Sequence, residues 1–189
     1  MLFRSPGKYL VKLQKGDKEY TDTLTLIADA NTIHTDNDRK LGFETTMKLF
    51  NLSEQLAYKV YQLDVMTDSS VNYLKKVPKL KKEIDPIISG LDALKKTLVQ
   101  TTGDNYIKTP EPQLKEKLGS LYSQVAGYNG KPSAAQLLNL ALLEKSYAES
   151  IGKLDVLKGK LTEDLLPKFV KYKLPEIGFQ SFDNFKLMD

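Results

Sequence analysis

Residues 133–161, SAAQLLNLALLEKSYAESIGKLDVLKGKL, decide the fold class because their apolar side chains recur with a helical period. Spacings of three and four residues place one long stripe on a single helix face: Leu137, Leu140, Leu143, Tyr147, Ile151, Leu154, Leu157 and Leu161. Ser133 is the predicted N-cap, since its hydroxyl can accept a backbone hydrogen bond of the first turn. Pro167 is expected to kink the helix, which continues through Phe169 and Tyr172 until Pro175 stops it.

Two further helices are predicted upstream, and both start at a proline signal. The second helix of the chain begins with Asp85 as N-cap and Pro86 at the first helical position. The third helix of the chain is predicted to begin directly after Glu111 and Pro112. Their apolar positions again recur every three or four residues: Ile87, Ile88, Leu91, Leu94 and Leu98 in the second, and Leu114, Leu118, Leu121 and Val125 in the third.

The first helix is predicted to run from about Asp38 to near Lys76. Its stripe contains Phe43, Met47, Phe50, Ala57 and Tyr61, widened by Leu49, Leu52, Leu56, Val60 and Leu63. Only mutual packing can hide the stripes of several separate helices, so an antiparallel bundle of three to four helices is expected. Its core should include Phe50, Leu56, Leu121, Leu143, Tyr147, Ile151 and Leu154.

A β-hairpin is predicted ahead of the helices, over residues 7–27. Tyr9, Val11 and Leu13 alternate with Lys8, Leu10, Lys12 and Gln14 in the first strand, and Thr21, Thr23 and Thr25 alternate with Tyr20, Leu24 and Leu26 in the second. Gly16 supplies the turn. Two strands are marginal in water, so they must pack on the helices or complete a sandwich with earlier strands. The chain is thus mainly α, with a hairpin over residues 1–30, a helical bundle over 31–175 and a tail over 176–189.

The composition excludes several classes of protein. The 189 residues contain no cysteine, which rules out disulfides and cysteine-type zinc sites. The net charge of +4 comes almost entirely from lysine, and Arg4 and Arg39 are the only arginines. Nucleic-acid readers favour the bidentate guanidinium fork, so no nucleic-acid partner is expected. No apolar run reaches the length of a membrane span, and the N-terminus lacks the regions of a signal peptide.

No residue pattern in the chain satisfies the requirements of a catalytic or metal site. His34 is the only histidine and is interpreted as a solvated linker residue. Residues 36–38 resemble the start of a calcium loop, but Lys40, Leu41 and Met47 occupy positions where a ligand, a glycine and a glutamate are needed. Helix capping explains these acidic residues better. The adjacent pair Glu163 and Asp164 is interpreted as surface charge. No catalytic residue, cofactor or metal is therefore assigned.

Three other features have a functional alternative beside a structural one. The lysine-rich run 74–82 could contact an anionic polymer or a membrane surface, although a solvated connection between helices is favoured. The aromatic tail with Phe179, Phe182 and Phe185 could dock on another domain or cover the bundle. Exposed aromatic rings could also stack on sugars, with Tyr106, Tyr128 and Phe179 as candidates.

Two stretches together resemble a known bacterial family. The first is PGKYLVKL followed by GDKEYTDTLTL, over residues 6–13 and 16–26; the second is LKEKLGSLY at 114–122 with PSAAQ at 132–136 and EDLLP at 163–167. They resemble the end of an immunoglobulin-like domain and the helical C-terminal module of BNR/Asp-box, sortilin-like β-propeller proteins, often labelled glycosyl hydrolases. Residues 28–30, Ala-Asp-Ala, depart from the Asp-Pro-Arg that follows the hairpin in that family.

The resemblance implies a non-catalytic accessory module at the C-terminal end of a secreted or periplasmic protein. Its partners would be the upstream propeller and immunoglobulin-like domains of the same chain. Asp-box repeats require tryptophan, and this chain has none, so no family active-site residue can be assigned. The alternative is a carbohydrate-handling part of a glycoside hydrolase whose catalytic residues lie upstream.

Overall fold

A computed structural model describes residues 6–27, 29, 31–100, 111–128 and 130–187 of the chain. Two strands precede the helices, and two short non-α turns interrupt the helical part. The elements in chain order are β1 (Gly7–Lys15), β2 (Lys18–Leu26), α1 (Asp36–Lys76), a 3₁₀ turn (Pro78–Leu80), α2 (Lys81–Leu98), α3 (Leu114–Ala126), α4 (Ala134–Gly159), a π turn (Lys160–Asp164), α5 (Leu166–Lys171) and α6 (Phe182–Lys186). The predicted class, mainly α with an N-terminal hairpin, is confirmed.

The long helix α1 begins with a reciprocal cap. Thr35 accepts a hydrogen bond from the backbone N–H of Asp38 at 3.1 Å, and the Asp38 carboxylate accepts from the Thr35 backbone N–H at 3.0 Å. This capping box satisfies two of the unpaired donors at the helix start. At 41 residues, α1 is about 60 Å long and extends along the whole bundle.

The other helices form two columns against α1. In the first column, α2 and α3 follow one another antiparallel to α1, and Lys95 of α2 pairs with Asp64 of α1 at 2.6 Å. In the second column, α4 and α5 run parallel to α1, and Lys48 of α1 pairs with Glu144 of α4 at 2.7 Å. The predicted bundle thus has three columns, two of which are interrupted helices.

The N-terminus of α2 differs from the prediction. The helix starts at Lys81 rather than after Asp85, and Pro86 lies inside it. A proline in a helix removes one backbone hydrogen bond, which normally favours a break. Here Leu80 and Ile84 continue the apolar stripe upstream and are almost completely buried. Their burial outweighs the lost bond and extends the helix beyond the proline.

The buried face of α1 also differs from the prediction in part. Leu49, Leu52, Leu56, Leu63 and Met66 lie in the core, whereas Phe43, Met47 and Phe50 are exposed to 49%, 38% and 44%. Phe50 was therefore wrongly placed in the core. Of the other predicted core residues, four leucines are buried and two residues are half-buried: Leu56, Leu121, Leu143 and Leu154, then Tyr147 and Ile151.

The helix predicted from residues 133–161 is confirmed at its start and interrupted near its end. Ser133 accepts from the Gln136 backbone N–H at 3.2 Å, and the Gln136 side chain accepts from the Ser133 N–H at 2.9 Å. Beyond Gly159 the chain widens into the π turn, and Pro167 lies at the start of α5. Proline cannot donate to the preceding turn, so the interruption falls just ahead of it.

The hairpin has the predicted strands but does not pack on the bundle. Tyr9 pairs with Leu24, and Leu13 pairs with Tyr20, so the apolar residues of both strands share one face. Neither strand has an extended contact with a helix in the described part of the chain. Packing on the helices was one of two expected arrangements, and it is not the one observed.

We expect the core leucine Leu154 and the surface leucine Leu142 of α4 to respond very differently to truncation. Leu154 is 1% exposed and Leu142 is 58% exposed. Leu154→Ala should lower the free energy of unfolding by about 2–5 kcal/mol, because a cavity remains in the core. Leu142→Ala should change it by less than about 0.5 kcal/mol. Urea denaturation followed by circular dichroism measures both, and equal losses would contradict the assignment of the buried face.

Candidate functional site

His34 is not the solvated linker residue that the sequence suggested. Its ring is half-buried and meets the Tyr128 ring edge-on, with centroids 5.2 Å apart. A Cβ on Gly130 would lie 2.6 Å from the His34 ring, and a Cβ on Gly42 would lie 2.7 Å from the Gly130 carbonyl oxygen. His34 therefore packs where the start of α1 meets the α3–α4 loop. This contact gives it a structural role that local sequence could not reveal.

The acidic residues at the start of α1 are occupied by the helix itself. Asp36 forms an ion pair with Arg39, and Asp38 belongs to the capping box. Hydrogen bonds from the Thr35 hydroxyl and backbone N–H hold the pKa of Asp38 below its usual value. No group of metal-ligating side chains occurs among the described residues. The helix-capping interpretation of residues 36–38 is confirmed.

The carbohydrate candidates have unequal exposure. Tyr128 is 54% exposed, although His34 contacts the edge of its ring. Phe179 is half-buried against the core, and Lys158 lies 5.0 Å from its ring centroid. Tyr106 lies outside the described residues. Of the two described candidates, Tyr128 alone offers an open aromatic surface.

The C-terminal tail packs on the flank of α1 through an aromatic cluster, so of the two arrangements expected for the tail, packing on the bundle is the one observed. Tyr58 and Tyr61 on α1 contact Phe185 with ring centroids 5.5 and 5.3 Å apart, and Tyr58 also meets Phe182. The Tyr58 hydroxyl donates to the Gln180 carbonyl at 2.6 Å. Tyr58 and Tyr61 are three residues apart and lie on one helix face, which is the sequence signal for the α1 side of this cluster.

A second anchor holds the tail near the end of α1. The buried Tyr73 hydroxyl donates to the Pro175 carbonyl, and the Tyr73 ring packs on Phe169 of α5. Burial raises the pKa of Tyr73. Beside this anchor, the π turn, α5 and the tail line a half-open cavity of about 200 Å³ with mostly apolar walls. Its volume is below that of typical ligand sites, and Thr162 and Glu176 are its polar lining residues.

The lysine-rich run occupies the end of the bundle where α1 finishes and α2 begins. Lys75, Lys76, Lys79, Lys81 and Lys82 are all exposed. Glu83 lies beside them and accepts a hydrogen bond from Lys168 of α5. This bond lowers the pKa of Glu83 below its usual value. The run therefore forms a charged surface shared by several elements.

The hairpin before α1 has one face on which apolar side chains are exposed. Val11, Leu13, Tyr20 and Leu24 share this face and are 47–64% exposed. The opposite face is mainly lysine and threonine, apart from Leu10. An apolar sheet face is normally covered by a second layer, so this face is a candidate interface.

No protein-family model matches the chain, and neither the curated proteins nor the solved structures contain a significant match. In the described residues, no helix has the length and apolar character that crossing a bilayer requires. No site residue can therefore be assigned from a relative, and the candidate sites rest on the structure alone. They are the uncovered hairpin face, the aromatic contact of the tail and the lysine-rich end.

We expect the double substitution Phe182→Ala and Phe185→Ala to release the tail from α1. Each aromatic pair contributes about 0.5–1.5 kcal/mol beyond its buried area. Amide hydrogen exchange of residues 176–187 should accelerate at least about tenfold, as measured by mass spectrometry. Leu187→Ala is the control, since Leu187 is 84% exposed. Unchanged exchange in the double variant would mean that the aromatic cluster does not hold the tail.

The ion pair between Glu83 and Lys168 predicts a pH-dependent stability. The pKa of Glu83 is lower in the folded chain than its usual value of 4.5. Its stabilisation is therefore complete above pH 4.5 and is lost as the pH falls through the folded-state pKa. Glu83→Gln should lower the urea midpoint at pH 7, and the difference from wild type should shrink at pH 3.

Glu149→Gln is the matched control for this experiment, because Glu149 is exposed and forms no ion pair within the described part of the chain. It should leave the urea midpoint unchanged at both pH values. A difference between wild type and Glu83→Gln that is the same at pH 3 and pH 7 would disprove the electrostatic explanation.

Proposed function

We propose that this chain is a non-catalytic accessory module at the C-terminal end of a larger protein, and that its hairpin completes an immunoglobulin-like sandwich of that protein. The observation that carries the proposal is the uncovered apolar face formed by Val11, Leu13, Tyr20 and Leu24. A two-stranded sheet with one apolar face is marginal alone and becomes stable when a second sheet packs on that face.

The composition of the two hairpin faces supports a sandwich rather than an exposed arm. Directly opposite pairs place Tyr9 beside Leu24 and Leu13 beside Tyr20 on the apolar face, with Asp22 opposite Val11 between them. The other face pairs Lys8 with Thr25 and Lys12 with Thr21. This alternation is what a strand shows when one face meets a core and the other meets water. The proposal therefore assigns the apolar face to the sandwich interior.

The start of α1 offers additional apolar surface close to the hairpin in the chain. Phe43, Met47 and Phe50 lie on one side of the helix and are 38–49% exposed. They follow the hairpin after a connection of nine residues, between Leu26 and Asp36. Because this connection is short, a domain that packs on the hairpin face would also be near this stripe and could cover it. The exposed stripe therefore supports a domain interface at this end.

The resemblance supplies the class of parent protein for this proposal. It points to a secreted or periplasmic BNR/Asp-box, sortilin-like β-propeller protein, with the immunoglobulin-like domain between the propeller and this module. A carbohydrate-handling role is favoured less, because Phe179 packs against the core and leaves Tyr128 as the exposed ring of the two described candidates. The accessory role requires no catalytic group in this chain.

The full-length gene product provides the test. We expect its coding sequence to contain the other strands of the immunoglobulin-like domain immediately before the hairpin. Asp-box repeats of the form S-x-D-x-G-x-x-T-W should precede that domain. In that protein, Leu13→Lys should accelerate amide exchange of residues 7–26 at least about tenfold, because a charge would enter the sandwich core. Chromogenic glycosides should not be turned over by the 189-residue chain.

Leu10→Lys is the matched control for Leu13→Lys. The two leucines are 65% and 64% exposed in this chain and lie on opposite faces of the same strand. Leu10→Lys should leave exchange of the hairpin unchanged. The proposal is wrong if the two substitutions act equally, or if no β domain precedes the hairpin.

A further inference from the structure

Three elements bring their lysines together at one end of the bundle. The helix α1 finishes there and α2 begins there. The end of α5 lies beside them, since the ring centroids of Tyr73 on α1 and Phe169 on α5 are 4.8 Å apart and Lys168 pairs with Glu83. We call this surface the basic end and define it by eight residues: Lys75, Lys76, Lys79, Lys81, Lys82, Lys168, Lys171 and Lys173.

The positive charge of the chain is concentrated at the basic end. The segments 75–85 and 168–176 contain these eight lysines and three carboxylates, those of Glu83, Asp85 and Glu176, which leaves a formal charge of +5. The entire chain carries +4, so the rest of the molecule is close to neutral. Glu163, Asp164 and Lys160 lie further along, in the π turn. The charge is therefore asymmetric, and an approaching anionic surface would orient the molecule.

Most of these lysines are free to meet a partner. Lys75, Lys76, Lys79, Lys81 and Lys82 are exposed, and none of them lies within 4 Å of a carboxylate in the described residues. Lys168 is the exception, because it pairs with Glu83. Five lysines without an ion pair around one connection between helices produce a positive field that the nearby carboxylates neutralise only in part.

Apolar side chains are exposed on α5 and just after it, next to these lysines. Val170 is 68% exposed, Leu166 is 39% exposed and Tyr172 is 36% exposed. Lys171 lies 5.8 Å from the centroid of the Tyr172 ring. Tyrosine is favoured at membrane–water interfaces because its ring is amphipathic. The basic end thus combines unpaired cations with apolar groups that can enter a lipid headgroup region.

We propose that the basic end docks the chain peripherally on an anionic lipid bilayer. The lysines contact the anionic headgroups, while Val170 and Tyr172 insert at the level of the interface. Stable attachment of this kind requires an electrostatic and an apolar contribution together. A flat surface also allows lysines from three separate elements to make contact at once.

Lysine chemistry favours lipid over nucleic acid as the anionic partner. Lysine is a point charge without the fixed fork that reads phosphates and bases, and the basic end contains no arginine. The inference depends only on residues of the bundle and is independent of the function proposed for the hairpin. If both hold, α1 separates the two interfaces by about 60 Å, and the module bridges its parent protein and a membrane surface.

Vesicle co-sedimentation of the intact chain tests the inference. Vesicles of phosphatidylcholine with 30% phosphatidylglycerol should bind the protein at 0.1 M salt, and pure phosphatidylcholine vesicles should bind it much more weakly. Raising the salt to 0.5 M should reduce binding to the phosphatidylglycerol vesicles. Each lysine near an anionic surface strengthens binding about fivefold. Replacing Lys75, Lys76, Lys79 and Lys82 by glutamine should therefore weaken binding at least about tenfold.

The matched control changes the same net charge elsewhere on the bundle. Lys115, Lys117, Lys145 and Lys153 are exposed helical lysines without an ion-pair partner in the described part of the molecule. Their replacement by glutamine should alter vesicle binding by less than about twofold, since they lie away from the basic end. Circular dichroism melting curves should show that both fourfold variants remain folded.

A separate variant tests the apolar part of the proposal. Val170→Ser should reduce the vesicle binding that persists at 0.5 M salt and leave the salt-sensitive part unchanged. Three results would overturn the inference: equal losses in the two fourfold variants, no preference for phosphatidylglycerol, or tighter binding to duplex DNA at the same phosphate concentration. The last result would assign the basic end to nucleic acid.

Discussion

Burial of the leucine face of α1 is the constraint on which the rest of the structure depends. A helix of 41 residues with an apolar face depends on packing for its stability in water, and among the described residues no second helix is long enough to cover it. Two columns of shorter helices therefore pack along it, α2 with α3 and α4 with α5. Leu49, Leu56, Leu63 and Met66 are at most 1% exposed as a result. Each column is interrupted because two shorter helices, one after the other, cover the long apolar face of α1.

The ends and the flank of the bundle are closed by contacts between residues distant in the chain. At the start of α1, Gly42 and Gly130 allow the α3–α4 loop to approach the helix backbone, and His34 packs there. Along the flank, the tail returns over Tyr58 and Tyr73. These contacts use aromatic and polar side chains for structure. They also explain why the single histidine and the acidic residues of α1 form no reactive cluster within the described residues.

The two surfaces left open have opposite character and lie at opposite ends of α1. The hairpin face is apolar and has the alternation of a sandwich strand, whereas the basic end is rich in lysine with a few exposed apolar side chains. An apolar sheet face requires a protein layer to exclude water, and unpaired lysines attract an anionic surface through a long-range field. This separation is what the two proposals together require, since they place a parent protein at the hairpin and a lipid surface at the basic end.

The local sequence pattern alone determined the hairpin with its turn at Gly16, the Ser133 cap and the leucine stripes of α3 and α4. These features were predictable because strand alternation and helix periodicity are properties of neighbouring residues. Only the tertiary structure decided which stripe of α1 is buried, that α2 begins before Pro86, and that His34 and the tail aromatics pack on the bundle. The other two columns cover the leucine face of α1 and leave Phe50 exposed, and the burial of Ile84 outweighs the hydrogen bond lost at Pro86. Such outcomes depend on long-range packing energies, which no local window of sequence contains.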